Sequence, residues 1–244
     1  MNPNREKNLP ETDGKLKVVP SPIRRYRIVL FQGYLILATA VFLILAVLAR
    51  ATPYSSFDLA ITQLIQSYRP AWLVSLLIMV TEMGNTIEAI VIISILCLTI
   101  FLFKFRWEAV VGFISASLAF LVDTTIKIFI HRPRPAADLV NVFQHLNDFS
   151  FPSGHVMLYT SFFGFMLFLI YTLLKKSLLR NLLLLFFGIS ILLVGPSRVY
   201  LGEHWASDVL GAYLLGSLVL WVVIWIYRWG KPKFFIKEDR QLKV

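Results

Sequence analysis

Three short stretches carry the residues that could do chemistry. The first reads R-V-Y-L-G-E-H-W-A-S-D from Arg198 to Asp208. If the chain is helical from Trp205 onward, His204 and Asp208 stand at i and i+4, one turn apart on one face. A carboxylate so placed can accept the imidazole N–H, fix its tautomer and stabilise the imidazolium, as a nucleophilic or acid–base histidine requires. Arg198 adds a permanent fork of donors suited to phosphate oxygens. The second stretch runs from Lys127 to Pro135. A lysine just inside a membrane is costly without a partner or a task. Asp123, four residues earlier, offers a plain ion pair, but Arg132 and Arg134 pull the same face positive, which suits an anionic ligand better. A proline follows each arginine and stiffens the loop. The third stretch is Phe151 to His155. Ser153 is an N-cap candidate and Gly154 permits close backbone approach. The freed N–H groups of such a helix start attract an anion, and His155 in the first turn could hand it a proton. Read alone, each stretch is also an ordinary structural feature: an interfacial histidine satisfied by an acid, an ion pair, a capped helix.

The elements that must position these residues are membrane spans. The 244 residues are 57% hydrophobic and 16% charged, with mean hydropathy +0.71, more apolar surface than a soluble domain hides. Apolar runs long enough to cross a bilayer predict an all-α polytopic membrane protein with spans at 28–49, 83–103, 109–130, 156–174, 181–197 and 209–227. The first run is longer than the apolar region of a cleavable signal peptide and reads as an uncleaved span. Between spans one and two, Phe57, Leu59, Ile61, Leu64 and Ile65 alternate with Asp58, Gln63 and Gln66, predicting an amphipathic helix lying in the interface. Pro70 ends it, and the apolar residues 71–81, too short to span, lead into span two at an angle. Three parts follow: a polar basic cytoplasmic arm at 1–27, a six-span domain at 28–229 and a basic cytoplasmic tail at 230–244. The lone Cys97 allows no intrachain disulfide and no thiolate cluster.

The formal charge of +10 does not point to nucleic acid, because the positive residues flank the apolar runs. With the N-terminus inside, cytoplasmic segments hold seven Lys and Arg in the arm, two after span two, three after span four and six from Arg228 on, 18 of the chain's 24. Both termini are therefore expected in the cytoplasm. That topology brings the three stretches to one outer face and gathers Lys127, Arg134 and Arg198 with Ser153, Gly154, His155, His204 and Asp208. Such a set can bind a phosphoryl group, attack it and protonate its leaving group with no metal and no cofactor.

Lys127-x6-Arg134-Pro135, Pro152-Ser153-Gly154-His155 and Ser197-Arg198-x5-His204-x3-Asp208 resemble the three-part signature of the type 2 phosphatidic acid phosphatase family, complete and in order. The resemblance covers roughly residues 55–227. It implies a six-span bundle and a metal-independent phosphatase acting on lipids. It implies His204 as a nucleophile forming a phosphohistidine, oriented by Asp208, and His155 as the acid for the leaving oxygen. Lys127, Arg134, Ser153, Gly154 and Arg198 would hold the phosphate. Arg132-Pro133 duplicates Arg134-Pro135, and only the spacing from Lys127 selects Arg134.

His131 and His145 read as solvated loop residues, Glu203 as a rim residue, and Glu82 and Glu88 as intramembrane acids with a functional role, a buried pairing role or a helix-end role. The partners expected are the bilayer and a lipid substrate: undecaprenyl pyrophosphate, phosphatidylglycerol phosphate or phosphatidic acid. A phosphotransferase using the same phosphohistidine is the nearest alternative. A transporter fits less well, since its charges should gather near mid-membrane.

Overall fold

The structure, a computed structural model, describes residues 22–235. Residues 1–21 of the expected arm and 236–244 of the expected tail lie outside the described residues. Two compact units divide the chain, 1–36 and 37–244, and among the described residues the first holds only the start of the opening helix. The helices are α1 (Pro22–Ala51), α2 (Ser56–Gln66), α3 (Ala71–Glu82), α4 (Thr86–Leu102), α5 (Arg106–Ile130), α6 (Gly154–Leu158), α7 (Gly164–Leu173), α8 (Leu178–Tyr200) and α9 (Ala206–Phe235). Among the described residues, five stretches are long and apolar enough to cross a membrane, and α3 with α4, bent by 64° at their junction, pass the same test only as a pair. This is an all-α polytopic membrane protein, and the bend between α3 and α4 follows the residues 71–81 that were expected to enter span two at an angle.

In the larger unit, α6, a π-helical turn at Tyr159–Phe163 and α7 form one rod, Gly154–Leu173. Two thirds of its most apolar stretch is buried, against two fifths or less for the other four unbroken candidate spans, so it is the axis of the bundle. Val156, Met157, Tyr159, Phe162 and Phe165 on it are fully buried. Ser115 of α5 and Ser161 of the rod share a hydrogen bond of 2.9 Å, the close small-residue contact by which helices associate where lipid removes the hydrophobic drive. Large apolar side chains face outward instead, Phe113, Phe120 and Leu192 among them.

Local chemistry sets the helix ends that matter. Pro196 removes one N–H from the α8 ladder. One residue earlier, the Tyr213 hydroxyl of α9 accepts from Gly195 N–H at 3.1 Å and donates to Ile191 O at 2.6 Å. That insertion ties the last turn of α8, which carries Arg198, to the start of α9. At the opposite end of the bundle, Lys231 Nζ of α9 lies 2.5 Å from buried Glu108 of α5, and the Tyr227 hydroxyl donates to the same carboxylate. Helix α2 is amphipathic with its polar stripe turned inward: Asp58, Thr62 and Gln66 are buried while Phe57 and Leu64 are exposed.

Candidate active site

His204 sits in the five-residue turn between α8 and α9, 1% exposed. Its Nδ1 is 2.8 Å from the Ser150 carbonyl and its Nε2 is 3.1 Å from Arg134 Nη1. A carbonyl only accepts and a guanidinium only donates, so the proton is on Nδ1 and the lone pair on Nε2. Burial pushes its pKa well below the usual histidine range, and Arg134, Arg198 and Lys127 push the same way against Asp148. The ring is neutral, with its free nitrogen facing cations.

Asp208 stands beside His204, as its spacing suggests, but as a charged neighbour and not as a hydrogen-bond acceptor. The carboxylate is 3.7 Å from Nδ1, because α9 begins at Ala206 and leaves His204 outside the helix. Asp208 instead reaches back to Trp205 N–H at 2.8 Å, the acid half of a capping box. It also accepts from the Ser150 hydroxyl and from Arg132 Nη1, both at 2.5 Å. Ser150, which no sequence signal marked, is therefore the residue in direct contact with both His204 and Asp208.

The cations converge, and each already holds an acid. Arg134 donates from Nη1 to Glu203 O at 2.6 Å and from Nη2 to Asp148 Oδ1 at 2.6 Å. Lys127 lies 2.8 Å from Asp148 and 3.4 Å from Asp123, so the expected i, i+4 pair exists but is the weaker contact. Burial raises the Asp148 carboxyl, but Lys127 and Arg134 outweigh it and hold the pKa at about 2. Arg198 pairs with Glu203 and donates to Thr81 Oγ1 at 2.7 Å. Glu203, expected at the rim, is buried because Arg198 draws it in, and burial pushes its carboxyl above the usual range against Arg198 and Arg134. Two donors on these residues are buried without a hydrogen-bond partner: Arg198 Nε and Ser153 Oγ. Ser153 stands at the N-cap of α6, yet its side chain makes no capping bond.

The break between α3 and α4 supplies what the sequence reading missed around His155. Its Nε2 is 3.2 Å from Asn85 Oδ1, and the charges of Arg198, His204, Lys127 and Arg134 all bear on the ring. A side chain at Gly84 would run into that ring, and one at Gly154 would stand 2.9 Å from Asp123 Oδ2. Both glycines are there for closeness. The Gly84-Asn85 pair inside an apolar run was the available sign of a break. Glu82 and Glu88 are exposed and outside the cluster, and Glu88 lies in the first turn of α4, where the helix dipole favours an acid. His131 and His145 are exposed, as expected. The duplicated arginines separate cleanly: Arg134 faces His204, while Arg132 lies behind Asp208.

The sequence profile of the PAP2 superfamily matches residues 107–232. The chain is 32% identical over 184 residues to phosphatidylglycerophosphatase B of Bacillus subtilis, covering 75% of this chain and 89% of that one. The crystal structure of the PAP2-type phosphatidylglycerolphosphate phosphatase of Bacillus subtilis superposes with a TM-score of 0.70 at 28% identity, over 83% of this chain and 98% of the other. Aquifex aeolicus LpxE shares the fold, with a TM-score of 0.55 at 23% identity over 70% of this chain and 96% of the other.

Proposed function

Since this chain belongs to the PAP2 superfamily and is an integral-membrane lipid phosphatase, we propose that it hydrolyses phosphatidylglycerol phosphate through a phosphohistidine on His204, at the outer face of the membrane. The observation that carries this is the His204 tautomer, with a lone pair on Nε2 turned toward the Arg134 guanidinium. In the first step Nε2 attacks phosphorus, the N–P bond forms and the P–O bond to the lipid glycerol breaks. His155 gives a proton to the departing oxygen. The imidazolium so formed keeps its Nδ1 proton on Ser150 O, with the Asp208 charge close behind. Lys127, Arg134 and Arg198, with Ser153 Oγ and the Gly154 backbone, hold the three phosphoryl oxygens, where charge-stabilising donors are each worth about 10²–10³ in rate. In the second step water attacks phosphorus, returns a proton to His155 and releases phosphate as the N–P bond breaks. The acyl chains stay in the bilayer. The apolar face of α2 rests in the interface beside them.

The test is phosphate release in detergent micelles, with a chelator present, from phosphatidylglycerol phosphate, undecaprenyl pyrophosphate, phosphatidic acid and a soluble phosphomonoester. Release should be fastest from phosphatidylglycerol phosphate, be lost in His204→Ala and carry ¹⁸O from labelled water into phosphate. Release that survives His204→Ala overturns the phosphohistidine. Preference for another lipid overturns the substrate, and phosphate found on an acceptor other than water makes the protein a phosphotransferase.

A further inference from the structure

Arg132 is the one loop arginine whose task neither the phosphate site nor the motif spacing accounts for. It is 2% exposed, and every guanidinium nitrogen is engaged inward. Nε donates to Pro53 O at 3.0 Å, and Nη1 donates to Ser207 Oγ at 2.7 Å and Asp208 Oδ1 at 2.5 Å. Nη2 donates to Asp58 Oδ2 at 2.8 Å. Four of its five N–H donors are thus taken by the protein, and the group is buried away from the phosphate-binding cations.

On the far side, Asp58 of α2 is 1% exposed. Its carboxylate accepts from Ser55 N–H and hydroxyl at 3.1 and 2.9 Å, and from Ser207 N–H at 2.9 Å. Charges alternate along the chain Asp58, Arg132, Asp208, each buried and each paired, which is the condition under which buried ions are tolerated. Arg132 also reaches the nucleophile by its main chain: its carbonyl accepts from Ser150 N–H at 2.8 Å, and the Ser150 carbonyl takes the His204 Nδ1 proton. One residue thus holds both groups that stand behind the imidazole.

We propose that Arg132 is a positioning residue for the nucleophile, acting through Asp208, and that Asp58 holds Arg132 in place, so that α2 is a working part of the reaction centre. The geometry asks for a fork: four acceptors lie in different directions around one planar group, and the single ammonium of a lysine cannot reach them all. This inference rests on the phosphohistidine reading above.

The experiment compares Arg132→Lys, Arg132→Gln, Asp58→Asn, the Arg132→Gln/Asp58→Asn pair and His204→Ala, as full chains in micelles on phosphatidylglycerol phosphate. Rates are normalised to folded protein by size-exclusion chromatography, and phosphoenzyme is trapped by acid-free rapid quench. Both Arg132 variants should lose at least about tenfold in kcat with KM within about twofold of wild type, because the attacking geometry is disturbed and phosphate binding is not. Asp58→Asn should lose about threefold or more in kcat, and the double variant should be no worse than Arg132→Gln alone, because the two residues act in series. Wild-type kcat in Arg132→Gln overturns the proposal, as does a loss confined to KM or an undiminished kcat in Asp58→Asn. Should the Arg132 variants fail to fold, Asp58→Asn, which keeps the shape of the side chain, decides alone. An active His204→Ala would bring down the phosphohistidine reading and this inference together. An inactive one beside fully active Arg132 and Asp58 variants removes only the inference.

Discussion

The ring of His204 is fixed by two partners that can each play a single role, which makes its protonation state measurable. With ¹⁵N-labelled histidine, the full chain in micelles should show His204 neutral and protonated on Nδ1 at pH 6, below the usual histidine midpoint of about 6.5. Its folded pKa is depressed by burial and by Arg134, Arg198 and Lys127. The stability it contributes is therefore complete above about pH 6.5 and is lost as pH falls through the lower, folded value. A ring half-protonated at pH 6.5, or protonated on Nε2, would contradict the assignment. Asp148 invites a second measurement. It is half exposed, ionised down to about pH 2, and bridges Lys127 and Arg134, two of the cations proposed to take the phosphate. A phosphate must displace it. Asp148→Asn should lower the inhibition constant of inorganic phosphate by about threefold or more, since two charge-assisted contacts no longer compete. An unchanged or higher constant would mean that the carboxylate does not stand in the ligand's place.

At the scale of elements, the break between α3 and α4 is what brings Asn85 to His155 and Thr81 to Arg198. Gly84→Ala would push a methyl group into the His155 ring. We expect a loss of about tenfold or more in kcat, in line with the cost of small displacements of a catalytic group. Gly188→Ala, where an added methyl meets nothing, should match wild type. Equal behaviour of the two variants would remove the break from the reaction. Those elements also mark what could be read from the sequence. The helix ends bearing Lys127, His155 and Arg198 were legible because apolar runs stop there and charge begins. The partners of these residues were not legible, because Asn85, Ser150 and Asp58 meet the site across long sequence separations that no periodicity encodes. The spacing of His204 and Asp208 was legible, and the two stand 3.7 Å apart, but the hydrogen bonds of Asp208 go elsewhere, one of them to the open N–H at the start of its own helix. Helix α2 was visible as an amphipathic pattern. That its polar face turns inward follows only from the buried Arg132 that awaits it.

At the scale of the whole molecule, apolar side chains face outward along the spans and the charges gather at the two ends, the reverse of a soluble fold and the expected answer to a bilayer. The two ends differ in kind. One holds the Glu108, Tyr227 and Lys231 lock between α5 and α9, and the other holds the histidines, the buried arginines and the 131–152 loop. In the sequence, positive charge is heavily weighted to the segments expected in the cytoplasm, the α4–α5 and α7–α8 connections among them, and the insertion machinery retains such loops there. The histidine end should therefore face outward. Single cysteines placed in a Cys97→Ser background test this directly: Asn147→Cys in the long loop, and Lys176→Cys between α7 and α8. A membrane-impermeant maleimide should label residue 147 in intact cells and residue 176 only after permeabilisation. Labelling in the opposite order would turn the protein over, and its lipid phosphate would then be met, cleaved and released on the cytoplasmic side.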